Sequence, residues 1–287
     1  MAHAQPIGSS SPTRIFISDL QRFNMVQIGP ETSAKDVLDA VEKQGELTGE
    51  EHKPGGWMVW EVSQDFGMER PIRNYEHLAD IAAAWNKEKM MNMFMIKKCA
   101  ISSTLASMPT SSPKCGGYVE WESKKGKWSK RWLELREHSL WISKREGKAE
   151  DCLCSLSVFD AYQVTRIHRA PKPFVFAVKS TEPISLFENT SDYVHVFSCS
   201  EEHGQLWLES IMLARSYVMY QEKHILFKDK NLTGGSALAR AGTRKQSRPS
   251  QPLVNVTPPY NPGAAPPGQT SFEPGSLLAK RLAEGTA

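Results

Sequence analysis

The chain has 287 residues, 40% of them apolar and eight of them tryptophan, which is enough for two domains of about 100 residues with their own cores. A formal net charge of only +3 excludes a protein that coats nucleic acid along its whole length. No run reaches the ~18 consecutive apolar residues of a membrane helix, residues 1–12 lack the apolar segment of a signal peptide, and the five cysteines lack zinc-ligand spacing. We therefore expect reduced thiols, no metal and no cofactor.

Short strands and two helices alternate in the first third of the chain. Ser33 is a suitable N-cap for a helix whose apolar residues Val37, Leu38 and Val41 fall at helical spacing. Strands are predicted at residues 14–17, 24–28, 57–62 and 93–96, with room for another near 70–72, and helices at residues 34–44 and 74–87. This order resembles that of a ubiquitin-like roll, which we assign to residues 13–98.

A short segment rich in Ser, Thr, Ala and Pro follows at residues 99–113, and this composition predicts a linker that keeps its flanking domains close together. The charge balance changes across the linker. Residues 114–148 hold ten Lys or Arg against five Asp or Glu, whereas residues 14–98 hold eleven against fourteen. The contrast favours an anionic partner for the second domain.

Seven strands and one helix are predicted in residues 114–220. The strands lie at residues 117–121, 128–135, 139–143, 153–158, 162–165, 174–178 and 195–199, and the helix at about 201–220. Trp207 and Ile211 share one face of that helix, which suits a plug for the open end of a curled sheet. Alternation places Arg131 on the face of Leu133 and Leu135, at its open rim.

From about residue 228 the composition turns to Gly, Pro, Ser, Ala and Thr, with eight basic residues against three acidic ones, which predicts a disordered basic tail over residues 228–287. Within it, Arg244 precedes Ser247 by three residues and Pro249 follows it by two. This spacing makes Ser247 a candidate for phosphorylation by a basophilic kinase and for docking of a phosphoserine reader.

Two segments of the first domain resemble those of Ras-association domains. Residues 33–37, Ser-Ala-Lys-Asp-Val, resemble that family's Thr-Ala-x-Asp-Val helix start, and residues 69–76 resemble its Glu-Arg-x-Leu-x-Asp-x-Glu segment. The resemblance implies binding of a GTP-bound Ras-family GTPase by addition of the second strand to the edge of the GTPase sheet. The residues implicated are Arg14, Arg22, Gln27 and Lys35. A structural role, or another protein partner, is the alternative.

The second domain resembles a pleckstrin-homology domain in its first strand, its basic turn, its second strand and the later Trp207. The family's lipid motif places a Lys in the first strand and Lys/Arg-x-Arg after the turn. Arg131 matches the last cation, whereas Trp121 and Ser129 stand at the other two positions. Other cations nearby favour weak, salt-sensitive binding of a phosphoinositide or anionic membrane. They are Lys124, Lys125, Lys127, Lys130, Lys144 and Arg145.

The two domains in this order are similar to the tandem of lamellipodin-like and growth-factor-receptor-bound adaptors, which residues 152–160 and 169–179 also resemble. The expected fold class is α+β: a ubiquitin-like roll, a seven-stranded pleckstrin-homology barrel capped by a C-terminal helix, and a disordered tail. The resemblance implies a cytoplasmic signalling adaptor recruited peripherally to the plasma membrane. No catalytic motif is recognisable, so no enzyme is expected. A scaffold whose second domain binds a protein and not a lipid is the alternative.

Overall fold

The computed structural model describes residues 10–49, 52–85, 92–107, 109–148, 150–166 and 169–234. Ser247, the predicted phosphorylation site, lies outside these residues, as does the predicted tail from residue 235 onward.

The first part of the chain builds a sheet that packs against helices. Its elements are β1 (Ser11–Ile17), β2 (Asp19–Ile28), α1 (Ala34–Lys43), β3 (Gly56–Ser63), β4 (Met68–Pro71), α2 (Leu78–Ala83) and β5 (Asn92–Cys99). Ser33 caps α1 as predicted: its hydroxyl accepts the Asp36 N–H (3.3 Å), and the Asp36 carboxylate accepts the Ser33 N–H (2.9 Å). The apolar faces of β1, α1 and β5 meet in one core.

The second predicted helix begins later than the sequence pattern indicated. Residues 74–87 were assigned to it, but α2 starts at Leu78 and its described part ends at Ala83. The preceding residues form a turn in which Glu76 N–H donates to the Arg73 carbonyl (2.9 Å) and the Glu76 carboxylate accepts Arg73 N–H (2.8 Å). Buried arginines hold the Glu76 side chain in this turn, and these tertiary contacts outweigh its local helix propensity.

The second part of the chain contains the seven predicted strands. They are β6 (Cys115–Lys124), β7 (Lys127–Arg136), β8 (Ser139–Ser143), β9 (Glu150–Ser155), β10 (Phe159–Val164), β11 (Phe174–Ser180) and β12 (Val194–Cys199). A four-residue helix, α4 (Thr190–Tyr193), precedes β12, and the long helix α5 (Glu201–Gly234) follows it. In α5, Trp207 is 3% exposed and Ile211 is fully buried, so the predicted plug is confirmed. The helix extends beyond the predicted end near Tyr220 and includes residues 228–234, where the composition predicted the start of the disordered tail.

The segment predicted as a linker contributes to the core. It contains the five-residue helix α3 (Ser102–Ala106), whose Leu105 is 1% exposed. Leu105 packs in one cluster with Met58 and Trp60 of β3 and with barrel residues such as Leu133. Apolar side chains from both domains therefore meet in one cluster, which is distinct from the core between β1, α1 and β5.

One sheet also runs through both domains, in the order β2-β1-β5-β3-β4-β10-β11-β12-β6-β7-β8-β9. The junction is an antiparallel pairing of β4 with β10, in which Glu69 lies opposite Gln163 and Met68 opposite Val164. Because ladder hydrogen bonds cross this junction, the first domain is held against the side of the barrel.

A buried network of charged side chains lies behind the junction. Arg73 donates to Asp160 (2.6 Å) and to the Met212 carbonyl of α5 (2.6 Å). Arg70 donates to Glu76 (2.9 Å) and to Asp160 (3.2 Å). Arg70, Arg73 and Asp160 are each at most 2% exposed. Such charges are tolerated in a core only when they are paired, so the network requires both domains.

Candidate functional site

A cavity of about 1030 Å³ opens at the mouth of the barrel, beside the β6–β7 turn and the β8–β9 turn. Its polar lining carries more positive than negative charge. Among the described residues, four basic side chains and two carboxylates line it, namely Arg131, Lys144, Arg145, Lys148, Asp151 and Asp192. A cavity of this kind attracts an anion that carries several negative charges.

Arg131 reaches this cavity because of strand alternation. Leu133 and Leu135, on the same face of β7, are fully buried in the barrel core, and Arg131 occupies the partly exposed position at the open end. One of its guanidinium nitrogens donates to the Lys130 carbonyl (3.0 Å). The remaining guanidinium donors have the planar geometry that suits a phosphate.

The predicted basic residues separate into three groups. Lys144 and Arg145 lie in the cavity with Arg131. The three turn lysines, Lys124, Lys125 and Lys127, are exposed on the hairpin that borders the cavity through Ser123.

Lys130 is separated from these groups because it projects from the opposite face of β7. Its ammonium lies 4.6 Å from the centre of the Tyr118 ring, beside a small groove that Lys172 and His203 also line. Lys130 therefore does not share the cavity with its neighbour Arg131.

The lining residues that were not predicted from the sequence include Lys148, Trp121 and His195. Trp121 occupies the position of a motif lysine and presents an indole instead. Lys148 belongs to the same cluster of basic residues as Lys144 and Arg145, so the sequence did contain an indication that it would lie near the cavity. The alternation of β12, in which Phe197 is fully buried, was a signal that His195 also points into the barrel.

The strand β2 forms one end of the sheet, so its outer edge has no strand beside it in the described part of the chain. Arg14 and Gln27 are exposed on the hairpin of β1 and β2, where Arg14 lies 4.5 Å from the centre of the Phe23 ring. Lys35 is exposed on α1 and pairs with Asp39 at 2.9 Å.

Arg22 is held in a different way from the other three predicted GTPase contacts. Its guanidinium donates to the Glu46 carbonyl (2.8 Å), in the loop that follows α1. The structure thus places Arg14 and Gln27 together on the hairpin, with Lys35 on the neighbouring helix and Arg22 tied to that loop.

Exposed apolar side chains on β2 were also missed. Leu20, Phe23 and Met25 are 55%, 45% and 54% exposed. Phe23 and Met25 alternate with the inward-facing Asn24 and Val26, and the sequence alone did not decide which of these two sets faces solvent.

Within the described ranges, no group of three His, Cys, Asp or Glu side chains is arranged to hold a metal ion. In the same ranges, no helix has both the length and the apolar character required to cross a bilayer.

Comparison with known proteins agrees with this architecture. Residues 113–216 match the PH domain family, and no curated protein matches the chain. The crystal structure of the coiled-coil, RA and PH domains of lamellipodin superposes with a TM-score of 0.57 at 16% identity, over 76% of this chain and 93% of that one. The PH domain of human KIAA0053 protein superposes with a TM-score of 0.30 at 19% identity, over 39% and 94% of the two chains.

The chain resembles the RA plus PH tandem of lamellipodin in fold. The predicted α+β class, a roll followed by a capped barrel, is thereby confirmed. In this tandem the family match begins just before β6 and ends within α5, so the cavity around Arg131 belongs to the PH domain.

Proposed function

We propose that the tandem is a non-catalytic signalling adaptor in the cytoplasm that is recruited peripherally to the plasma membrane. Its PH domain binds an anionic phosphoinositide membrane, and its RA domain binds a GTP-bound Ras-family GTPase. The observation that carries the membrane part is the cavity in which Arg131, Lys144, Arg145 and Lys148 converge beside an exposed turn of three lysines.

The geometry supports phosphate binding even though two motif cations are replaced. Lys144, Arg145 and Lys148 from the β8–β9 turn supply positive charge to the same cavity as Arg131. The turn lysines add attraction to any anionic surface, at about 1 kcal/mol for each lysine near a membrane. Because these lysines are exposed, salt screens their contribution and the overall binding is expected to weaken as ionic strength rises.

The RA part rests on the free edge of β2. An edge strand offers unpaired backbone donors and acceptors to a strand of a partner. Arg14 and Lys35 place positive charge near this edge, where an acidic partner surface is attracted.

Co-sedimentation of the full chain with vesicles tests the lipid site. Neutral vesicles are compared with vesicles that contain phosphatidylserine or a phosphoinositide, at low and at physiological salt. Arg131→Ala is expected to lower phosphoinositide binding by about tenfold, which corresponds to the loss of one charge-assisted contact. Lys130→Ala is the matched control, because the neighbouring side chain lies on the other face of β7.

Equal loss in both variants would contradict the assignment of the cavity as the lipid site. Binding that depends only on total charge and disappears with salt would assign the interaction to the turn lysines. The alternative function, a protein scaffold, is favoured by the replacement of two motif cations by Ser129 and Trp121. It would be supported if no vesicle bound.

Binding of the chain to Ras-family GTPases loaded with a GTP analogue tests the RA site. Arg14→Glu is expected to abolish nucleotide-dependent binding, because it reverses the charge beside the β2 edge. Lys172→Glu makes the same charge change on an exposed residue of the PH domain and serves as the control. Unchanged binding by Arg14→Glu would exclude this edge as the site.

A further inference from the structure

A buried histidine, His195, lines the PH cavity. His195 lies on β12, where alternation directs it into the barrel together with Phe197. The residue is 5% exposed, and its ring stacks against Phe159 with centroids 5.9 Å apart. This packing fixes the orientation of the imidazole, and the residue lines the cavity that Arg131 also lines.

One ring nitrogen of His195 has no hydrogen-bond partner. Nε2 is buried and unpaired among the described residues, and so is Nε1 of Trp121, which lines the same cavity. Buried polar atoms in folded proteins are rarely left unpaired, and an exception calls for an explanation such as a bound water or ion. Two such atoms in one positively charged cavity point to an anionic ligand with several oxygen acceptors.

We propose that His195 Nε2 binds a phosphate group of the ligand that enters this cavity, and that the imidazole takes up a proton when the phosphate binds. This inference rests on the proposed anion-binding function of the cavity. The ligand is either a lipid headgroup or a soluble inositol phosphate, and both present a phosphate monoester on an inositol ring. His195 would thus make binding of the ligand sensitive to pH.

The charged residues that line the cavity together with His195 come from several elements. They are Asp192 on α4, Asp151 on β9, Arg131 on β7, and Lys144, Arg145 and Lys148 on the β8–β9 turn. The Cys152 thiol of β9 also lines the cavity, whereas β10, β11 and β6 present Phe159, Val178 and Trp121, which do not titrate.

Burial lowers the pKa of His195 to about 4, against a smaller opposite effect of Asp192, so the free protein holds it neutral near neutral pH. A bound phosphate offsets the surrounding positive charge and accepts a hydrogen bond from the ring, and both effects favour the imidazolium. The pKa of His195 therefore rises on binding. At any pH between the free and bound values, binding takes up protons, and affinity increases as the pH falls.

Calorimetric titration of the full chain with inositol hexakisphosphate in two buffers of different ionisation enthalpy measures this proton uptake. A phosphate monoester takes up a proton itself near pH 6, and this loss of negative charge weakens its binding as the pH falls, which opposes the effect of His195. Variants are therefore compared at each pH. His195→Gln retains a neutral hydrogen-bond donor but has no side chain that takes up a proton. His203→Gln changes an exposed histidine outside the cavity and serves as the control.

We expect His195→Gln to bind within about threefold of the wild type near pH 8 and about tenfold more weakly near pH 5.5, where a charged contact is lost. Proton uptake should disappear in His195→Gln and persist in His203→Gln. Near-UV circular dichroism confirms that the variants are folded. Equal proton uptake in the wild type and His195→Gln would overturn the inference and leave the proposed function standing.

Vesicles that contain a phosphoinositide form the second arm and distinguish the two sources of phosphate. The same difference between wild type and His195→Gln in both arms would support a lipid headgroup as the ligand. If wild type and His195→Gln differed only in binding of inositol hexakisphosphate and not of vesicles, a soluble inositol phosphate would be supported as the ligand. Binding of neither probe by the wild type would overturn both the inference and the proposed function.

Discussion

At the scale of single residues, Arg70 and Arg73 are the side chains that join the two domains. Both belong to the segment of residues 69–76 that resembles Ras-association domains, yet both form ion pairs with Asp160 of the PH domain. A charge that is fully buried depends on its partners, because it loses its hydration when the protein folds. The arginines in this segment therefore have a role in domain assembly.

Arg73→Ala should destabilise the protein by about 3–5 kcal/mol, because Asp160 and Glu76 would lose a buried counter-ion. Urea unfolding followed by tryptophan fluorescence measures the change. Arg22→Ala removes an arginine whose side chain is 40% exposed and pairs with Glu46, and it should cost less than about 1 kcal/mol. Similar losses in the two variants would contradict a special role for the buried network.

The same network predicts acid lability. Burial opposes ionisation of Glu76, but Arg70 and Arg73 outweigh it and hold the pKa of Glu76 at about 2, below its ordinary 4.5. The unfolded chain therefore binds a proton more readily than the folded one. About 3 kcal/mol of stability, complete above pH 4.5, should be lost as the pH falls toward 2.

Urea unfolding at successive pH values tests this prediction. Glu76→Gln should be less stable than the wild type at neutral pH, and its stability should fall less steeply below pH 4.5. Burial of neutral His195 adds an earlier loss, between 6.5 and about 4, which both proteins share. If the free energies of unfolding of the wild type and Glu76→Gln fell equally steeply below pH 4.5, Glu76 would be excluded as the cause of the acid lability.

At the scale of elements, α5 is held against the barrel by a buried face that carries both apolar and polar side chains. Trp207, Ile211 and Ala214 are at most 3% exposed and belong to the core that the two domains share. Gly204 lies so close to Phe174 that an added Cβ would fall 1.9 Å from the ring, so the first turn of the helix packs directly on β11. This face gives α5 a fixed position on the barrel.

Trp207→Ala should lower the free energy of unfolding by about 3–5 kcal/mol, since it removes a large side chain from a packed core. Leu206→Ala is the control, because the neighbouring side chain is 51% exposed. Thermal unfolding by circular dichroism compares the two variants with the wild type. A small effect of Trp207→Ala would mean that α5 does not close the barrel in solution.

At the scale of the whole molecule, the β4–β10 pairing, the shared apolar core and the buried charges all cross the boundary between the domains. Separate domains usually meet through smaller and more polar contacts. The surfaces of the two domains are consequently fixed relative to each other. In the proposed function, this arrangement sets the orientation of a bound GTPase relative to the membrane.

Because of these shared contacts, the chain should unfold in a single transition. Differential scanning calorimetry should give a calorimetric enthalpy equal to the van't Hoff enthalpy, and fluorescence and circular dichroism should report the same midpoint. Two separated transitions would show that the domains are independent and would contradict the common core.

Much of the architecture was decided by local sequence. The sequence predicted seven barrel strands, two of which begin three residues earlier in the structure, at Glu150 and Phe159. Ser33 with Asp36 fixed the start of α1 through a cap that involves neighbouring residues alone. Period-2 alternation placed Arg131 at the rim of the barrel. These features are readable because backbone periodicity and capping depend on residues only a few positions apart.

Other features were decided by the tertiary structure. Glu76 leaves the predicted helix, Arg73 pairs with a carboxylate 87 residues away, and His195 meets the β8–β9 turn only when the barrel closes. No sequence pattern identifies the partner of a buried charge. The two charges stabilise the fold only after distant segments have packed around them and excluded water. The sequence by itself thus determined the elements and their order, while packing determined which charges are paired and which residues line the cavity.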